Sequence, residues 1–162
     1  MRISASVEYG ARILVQLARS RDGAGLNAEK ISASENIPRA YVDQILLKLK
    51  RAGLVESRRG VQGGHRLAKS ASEITIGMMM RAVEGSIFDD VCQKYASGEH
   101  QCTHTAACDI KPAWRRLTQL VEDYLDHLTL EQLLNDHKPC GTLPAFPISS
   151  VAPSPGSTGR SL

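Results

Sequence analysis

Three cysteines, Cys92, Cys102 and Cys108, stand in the second half of this chain with nine and then five residues between them. Thiolates favour soft metals, and three within fewer than twenty residues can converge on one centre, leaving a fourth position for another ligand. On spacing alone two centres fit. One is an iron-sulfur cluster on the three thiolates; the other is a tetrahedral zinc held by His100, Cys102, His104 and Cys108. The bland alternative is three unrelated thiols packed as small apolar groups. Cys140 lies in a Pro-rich stretch and is read as a bystander, His127 and His137 as solvent-facing, and Met78, Met79 and Met80 as helix packing.

A second set of residues points to a polyanion. From Arg39 to Lys69 there are eight Lys and Arg (Arg39, Lys48, Lys50, Arg51, Arg58, Arg59, Arg66, Lys69) against Asp43 and Glu56, a local charge of 8 − 2 = +6. The whole chain carries only +3, so the remainder nets 3 − 6 = −3. A basic block inside a foldable segment is the footprint of nucleic-acid binding. The same charges would also suit a solvated basic face on a purely structural helix pair.

The elements that must position these residues are mostly helical. Val7, Ala11, Leu14, Leu17 and Ala18 recur at steps of three and four, which predicts a helix over 5–19 ended by Gly23 and Gly25. Asn27 can cap a short helix running to the turn residue Asn36. Pro38 suits the first turn of a third helix, which reaches Ala52 and stops at Gly53, with Tyr41, Ile45, Leu46 and Leu49 available for burial. Two short helices with a tight turn form a helix-turn-helix, in which the start of the second helix meets base edges. Arg39, Tyr41 and Gln44 stand there; Gln suits adenine and Arg suits guanine. Lys48 and Arg58 are expected at phosphates and Arg59 in the minor groove, while Tyr41 is equally a core candidate.

Residues 54–59 read as a strand, Gly60-Val61-Gln62-Gly63-Gly64 as a loop, and 65–68 as the returning strand. This is a β-wing whose Gly60, Gly63 and Gly64 would let backbone approach phosphates. Thr75 can cap a helix from Ile76 to Glu84, ended by Gly85. Residues 86–110 are irregular and hold the three cysteines. Pro112 then opens a long helix in which Trp114, Leu117, Val121, Tyr124 and Leu128 alternate at three and four, favouring a helix-helix seam. Thr129 can cap a final short helix.

These elements predict a mainly α chain: a winged helix-turn-helix DNA-binding domain (1–72), a connecting helix and cysteine segment (73–111), a long dimerisation helix with a short final helix (112–138), and a disordered tail (139–162). The tail holds five of the seven prolines. Aromatic content of 4% suits an Ala- and Leu-rich helical core better than a sheet sandwich. No apolar run approaches the ~20 residues of a membrane span, and no secretory core follows Met1, so a cytoplasmic protein without a membrane partner is expected. In that compartment cysteines are free, metal-bound or redox-active more often than disulfide-bonded. No nucleophile, base and orienter can be nominated, and residues 60–64 lack the Lys-Ser/Thr ending of a P-loop, so no enzyme is expected.

Several short motifs occur together: Val7-Glu8-Tyr9-Gly10; Tyr41 with Gln44-Ile45-Leu46 and Leu49; Ala52-Gly53-Leu54-Val55; Arg59-Gly60 with Gly63-Gly64; Ile74-Thr75-Ile76; the three cysteines; and Leu128-Thr129-Leu130. This set resembles the iron-sulfur winged-helix transcriptional regulators of the Rrf-two family, the group of IscR, NsrR and RirA, over about residues 1–137. The resemblance implies a homodimer paired through residues 112–128, with each recognition helix reading half of a pseudo-palindromic operator. It also implies a [2Fe–2S] or [4Fe–4S] cluster on Cys92, Cys102 and Cys108.

For the fourth ligand, IscR-like members use a histidine three residues after the third cysteine, where this chain has Lys111, and the spacer between the first two cysteines is longer here. Other members take a carboxylate from the first helix of the opposite subunit, and Glu8 stands at that place; His104 is the alternative. The implied function is a regulator sensing iron-sulfur, iron, redox or nitric oxide status, controlling iron-sulfur assembly or iron homeostasis genes. Two rivals stay open: a cluster-free or zinc-bound winged-helix repressor, and a basic protein-interaction module.

Overall fold

The chain is described by a computed structural model over residues 3–20, 25–58, 63–85 and 108–135. Helix α1 (Ala5–Arg19) starts where Ser4 turns extended and its Oγ accepts from the Val7 N–H at 3.2 Å, satisfying one of the first-turn donors that a helix leaves unpaired. Its buried face is Val7, Gly10, Ile13, Leu14 and Leu17, with Ala11 and Ala18 half-buried beside it. Helix α2 (Ala28–Glu35) is capped by Asn27, whose side chain accepts from Lys30 N–H at 2.7 Å. It ends at Asn36 in the left-handed region at φ 52°, the turn residue expected there.

Helix α3 (Arg39–Arg51) follows at once, with Pro38 at the N-cap, one position earlier than its sequence assignment. The buried residues of α3 are Val42, Ile45, Leu46 and Leu49. Tyr41 is 50% exposed, so the core place expected for it belongs to its neighbour Val42. The two lie about 100° apart on the helix, enough to move a side chain off the buried face.

Strands β1 (Val55–Arg58) and β2 (Gly64–Leu67) pair antiparallel, with Val55 opposite Leu67 and Arg58 opposite Gly64. Leu26 adds a bridge on the outer side of β2. Its N–H donates to His65 O at 2.9 Å and its carbonyl accepts from His65 N–H at 2.8 Å, which moors the wing to the connection before α2. Helix α4 (Ile76–Glu84) is capped by Thr75 and stopped by Gly85 at φ 87°, both as expected.

After the cysteine segment, α5 (Lys111–His127) carries Pro112 in its first turn, and α6 (Leu130–Asn135) closes the described chain. Ile76 N–H donates to Leu128 O at 2.9 Å and Leu130 N–H to Ile74 O at 2.8 Å, so the α5–α6 junction is pinned to the start of α4. The core joins α1, α2, α3, α4 and α6 through Ile13, Leu14, Ile31, Leu46, Leu49, Ile74, Met79 and Leu130, all essentially inaccessible. At Gly10 a Cβ would sit 3.0 Å from Met79 Sδ and 3.2 Å from Val83 Cγ2, so this glycine sets how closely α1 and α4 approach. Helix α5 itself buries no residue fully: Trp114, Leu117, Leu120 and Tyr124 are each about half exposed along it.

Candidate nucleic-acid interface and cysteine segment

At about 100° per residue, the side of α3 opposite Val42, Ile45, Leu46 and Leu49 carries Ala40, Gln44, Leu47 and Arg51. All four are exposed, and this line is the part of the helix that can enter a groove. Gln44 is expected there from the sequence. Leu47 and Arg51 are additions from the structure, although a helical wheel drawn from the correct core residues finds them.

The two flanks of α3 are tied to neighbouring elements. On one, the Tyr41 ring meets Tyr9 of α1 edge-on, centroids 6.0 Å apart, and Lys48 Nζ donates to the Val83 carbonyl of α4 at 2.7 Å. Lys48, expected at a phosphate, therefore has one of its three donors held by protein. On the other flank, Arg39 Nε donates to both carboxylate oxygens of Asp43 at 3.0 and 3.1 Å, a half-exposed i,i+4 pair that leaves the rest of the guanidinium fork available.

The wing base stands beside this second flank. His65 Nδ1 lies 3.3 Å from Ser57 Oγ across the hairpin. Burial, then the Lys50 ammonium, push its imidazole below the usual 6.5, with Asp43 opposing and Arg39 adding to the shift. Glu56 and Arg66, directly opposite in the register, form an ion pair that stiffens the hairpin. Arg58, at the end of β1, is exposed. Arg59 and Gly60 lie outside the described residues, as do residues 61 and 62. Gly63 is half-buried at the start of the return.

Gly64 has a backbone reason to be glycine. At φ 151° its Cβ would stand 2.7 Å from the carbonyl carbon of Gly25 and 2.8 Å from that of Leu26, inside any real contact distance. Its small size serves the mooring of the wing on residues 25–26.

Of the metal-ligand candidates, Cys108 is a free, half-buried thiol three residues before α5. Cys92, Cys102, His100 and His104 lie outside the described residues, as does the tail from 139. Among the described residues no three His, Cys, Asp or Glu side chains gather as a metal site. Glu8 is exposed on α1, its Oε1 2.8 Å from Arg12 Nη2 on the same helix, so its carboxylate is reachable from outside without unpacking the core. Lys111 is the first residue of α5, and its ammonium has no lone pair for a metal while protonated. Three thiols and an accessible carboxylate form a donor set that fits an iron-sulfur cluster. Among the described residues no helix is long and apolar enough to cross a membrane.

Comparison with known proteins agrees with this architecture. The family model described as "Rrf2: Iron-dependent Transcriptional regulator" matches residues 3–136. The HTH-type transcriptional regulator IscR of Pectobacterium carotovorum is 32% identical over 136 residues, spanning 84% of this chain and 80% of that protein. IscR of Vibrio vulnificus is 30% identical over 138 residues, spanning 85% and 80%. Among solved structures, CymR, the global cysteine regulator of B. subtilis, is similar at TM-score 0.69 and 28% identity, covering 83% of this chain and 97% of its own. T. potens IscR is similar at TM-score 0.68 and 26% identity, covering 89% and 93%. These relatives are transcriptional regulators and not enzymes, as expected from the sequence, and the hairpin beside α3 is the wing of a winged helix-turn-helix. The chain belongs to the Rrf2 family of transcriptional regulators.

Proposed function

We propose that this regulator is a homodimer whose affinity for a pseudo-palindromic duplex operator is set by an iron-sulfur cluster. The observation that carries the reading is the presence of three closely spaced cysteines in a chain matched over residues 3–136 by an iron-dependent regulator family. Residues 1–72 would form the DNA-binding domain, 73–111 the connection and cluster segment, and 112–138 the dimerisation unit, with 139–162 as a tail.

On DNA, Gln44 and Arg39 address base edges in the major groove and Tyr41 lies beside them. Arg58, Arg59 and the backbone of Gly60, Gly63 and Gly64 approach phosphate or the minor groove through the wing. The half-exposed stripe Trp114, Leu117, Leu120 and Tyr124 supports pairing of α5 with its counterpart in a second copy.

Cys92, Cys102 and Cys108 would hold the cluster, with Glu8 of the partner subunit as the fourth ligand in preference to His104. When bound, the cluster supplies a group whose loss, oxidation or nitrosylation is the signal. Within the chain, Glu8 precedes Tyr9, and Tyr9 touches Tyr41 at the start of α3. A shift of α1 would reach α3 through this ring contact and through the core that the two helices share. The proposed gene targets are those of iron-sulfur assembly or iron homeostasis, by analogy with the family alone. Similarity to CymR, a cysteine regulator, favours one second reading: the same fold answering a signal other than iron.

The test is anaerobic purification, with visible absorption, iron and acid-labile sulfide measured per chain. A coloured protein with matching iron and sulfide, and a colourless triple Cys92→Ala, Cys102→Ala, Cys108→Ala variant, is expected. A wild-type protein still colourless after anaerobic reconstitution rejects the cluster.

A further inference from the structure

Leu47 is 49% exposed in the middle of the outward line of α3, three residues after Gln44 and four before Arg51. A single exposed leucine on a protein surface is ordinary. This one sits on the face opposite the α3 core, with Arg51 on the same line and Lys50 on the adjoining flank. That charge setting favours a polyanion as the occupant. Tyr41, the other large exposed apolar side chain of α3, already leans on Tyr9.

The geometry narrows what Leu47 can meet. Side chains three apart on a helix have Cβ atoms about 5–6 Å from each other. Base pairs rise about 3.4 Å per step. A base edge addressed by Gln44 and one addressed by Leu47 are therefore one or two steps apart. The major groove offers one apolar feature, the thymine C5-methyl group.

We infer that Leu47 is a specificity-determining residue that packs on a thymine methyl within two base pairs of the adenine read by Gln44. The inference rests on the assignment of α3 as the reading helix. It assigns each half-site a thymine that charge and hydrogen bonding alone would not select.

The test uses the full-length protein and a duplex operator selected by it from a randomised pool. Each thymine is replaced in turn by deoxyuridine, which lacks only the methyl. Wild-type protein is expected to lose about fourfold in affinity at one position per half-site, the value of one buried methyl. Leu47→Ala is expected to bind thymine and deoxyuridine equally there. That position should lie within two base pairs of an adenine whose replacement no longer matters in Gln44→Ala. Thermal melting checks that Leu47→Ala is folded. If no deoxyuridine position separates wild type from Leu47→Ala while Gln44→Ala still relaxes an adenine, the Leu47 inference is overturned and α3 remains the reader. If Gln44→Ala and Arg51→Ala also leave binding unchanged, α3 is not the reader and both statements fall.

Discussion

The Lys48 ammonium on α3 donates to the Val83 carbonyl, at 2.7 Å, in the last turn of α4. That carbonyl is one of the last four of its helix and has no intrahelical partner, and the C-terminal end of a helix attracts a cation. The bond therefore fastens α3 to α4, the helix that precedes the cysteine segment in the sequence.

Replacing Lys48 by Met keeps the stem and removes the donor. Stability should fall by about 1 kcal/mol, as for a partly exposed charge-assisted bond. The slope of log affinity against log salt should stay as in wild type, whereas a lost phosphate contact would lower it by about 0.9. Urea melts and salt titrations of operator binding measure the two separately.

The glycines separate two physical demands. Gly64→Ala drives a Cβ into the backbone of residues 25 and 26, so it should destabilise by more than about 2 kcal/mol and loosen the wing. Gly53 adopts φ 70° with open space around its would-be Cβ, so Gly53→Ala should cost only about 1 kcal/mol. Chemical denaturation of the two variants side by side checks the order.

The reasons for these residues differ in legibility. Asn27, Asn36, Gly53, Thr75 and Gly85 can be read as helix ends because a cap is local chemistry between residues a few positions apart. Gly64 and Lys48 cannot. The partner of Gly64 is the backbone of residues 25–26, and that of Lys48 is Val83, contacts created only by the tertiary fold. Sequence alone offers Gly64 and Lys48 as phosphate contacts and does not reveal these intramolecular ones. Tyr41 and Val42 are hard to tell apart because adjacent apolar residues fit a helical period nearly equally well, and the choice between them is made by the packing of α1 and α4.

His65 provides a pH signature. Its folded-state pKa lies below the ordinary 6.5 because of burial and the Lys50 charge, opposed by Asp43. The unfolded chain therefore binds more protons in the interval just below 6.5. Its contribution to stability is present above that value and is lost as pH falls through 6.5 toward the folded pKa. Urea midpoints should drop between about pH 7.5 and about pH 5.5, and His65→Gln should flatten that drop.

The proposed association through α5 has a direct handle in Leu117, 48% exposed in the single chain. Leu117→Glu should leave the helical content unchanged and move the sedimenting mass from twice 17.6 kDa to 17.6 kDa. Operator affinity should fall with it, since half-sites are then bound one at a time.

The most direct test of a cluster-gated regulator is operator affinity at fixed salt for the anaerobically purified protein, first cluster-loaded, then stripped, with the triple Cys92→Ala, Cys102→Ala, Cys108→Ala variant alongside. A change of about 5- to 150-fold between loaded and stripped protein is expected, with the variant matching the stripped form. Equal affinities for all three would contradict it and leave a winged-helix regulator whose cysteines do not govern DNA binding.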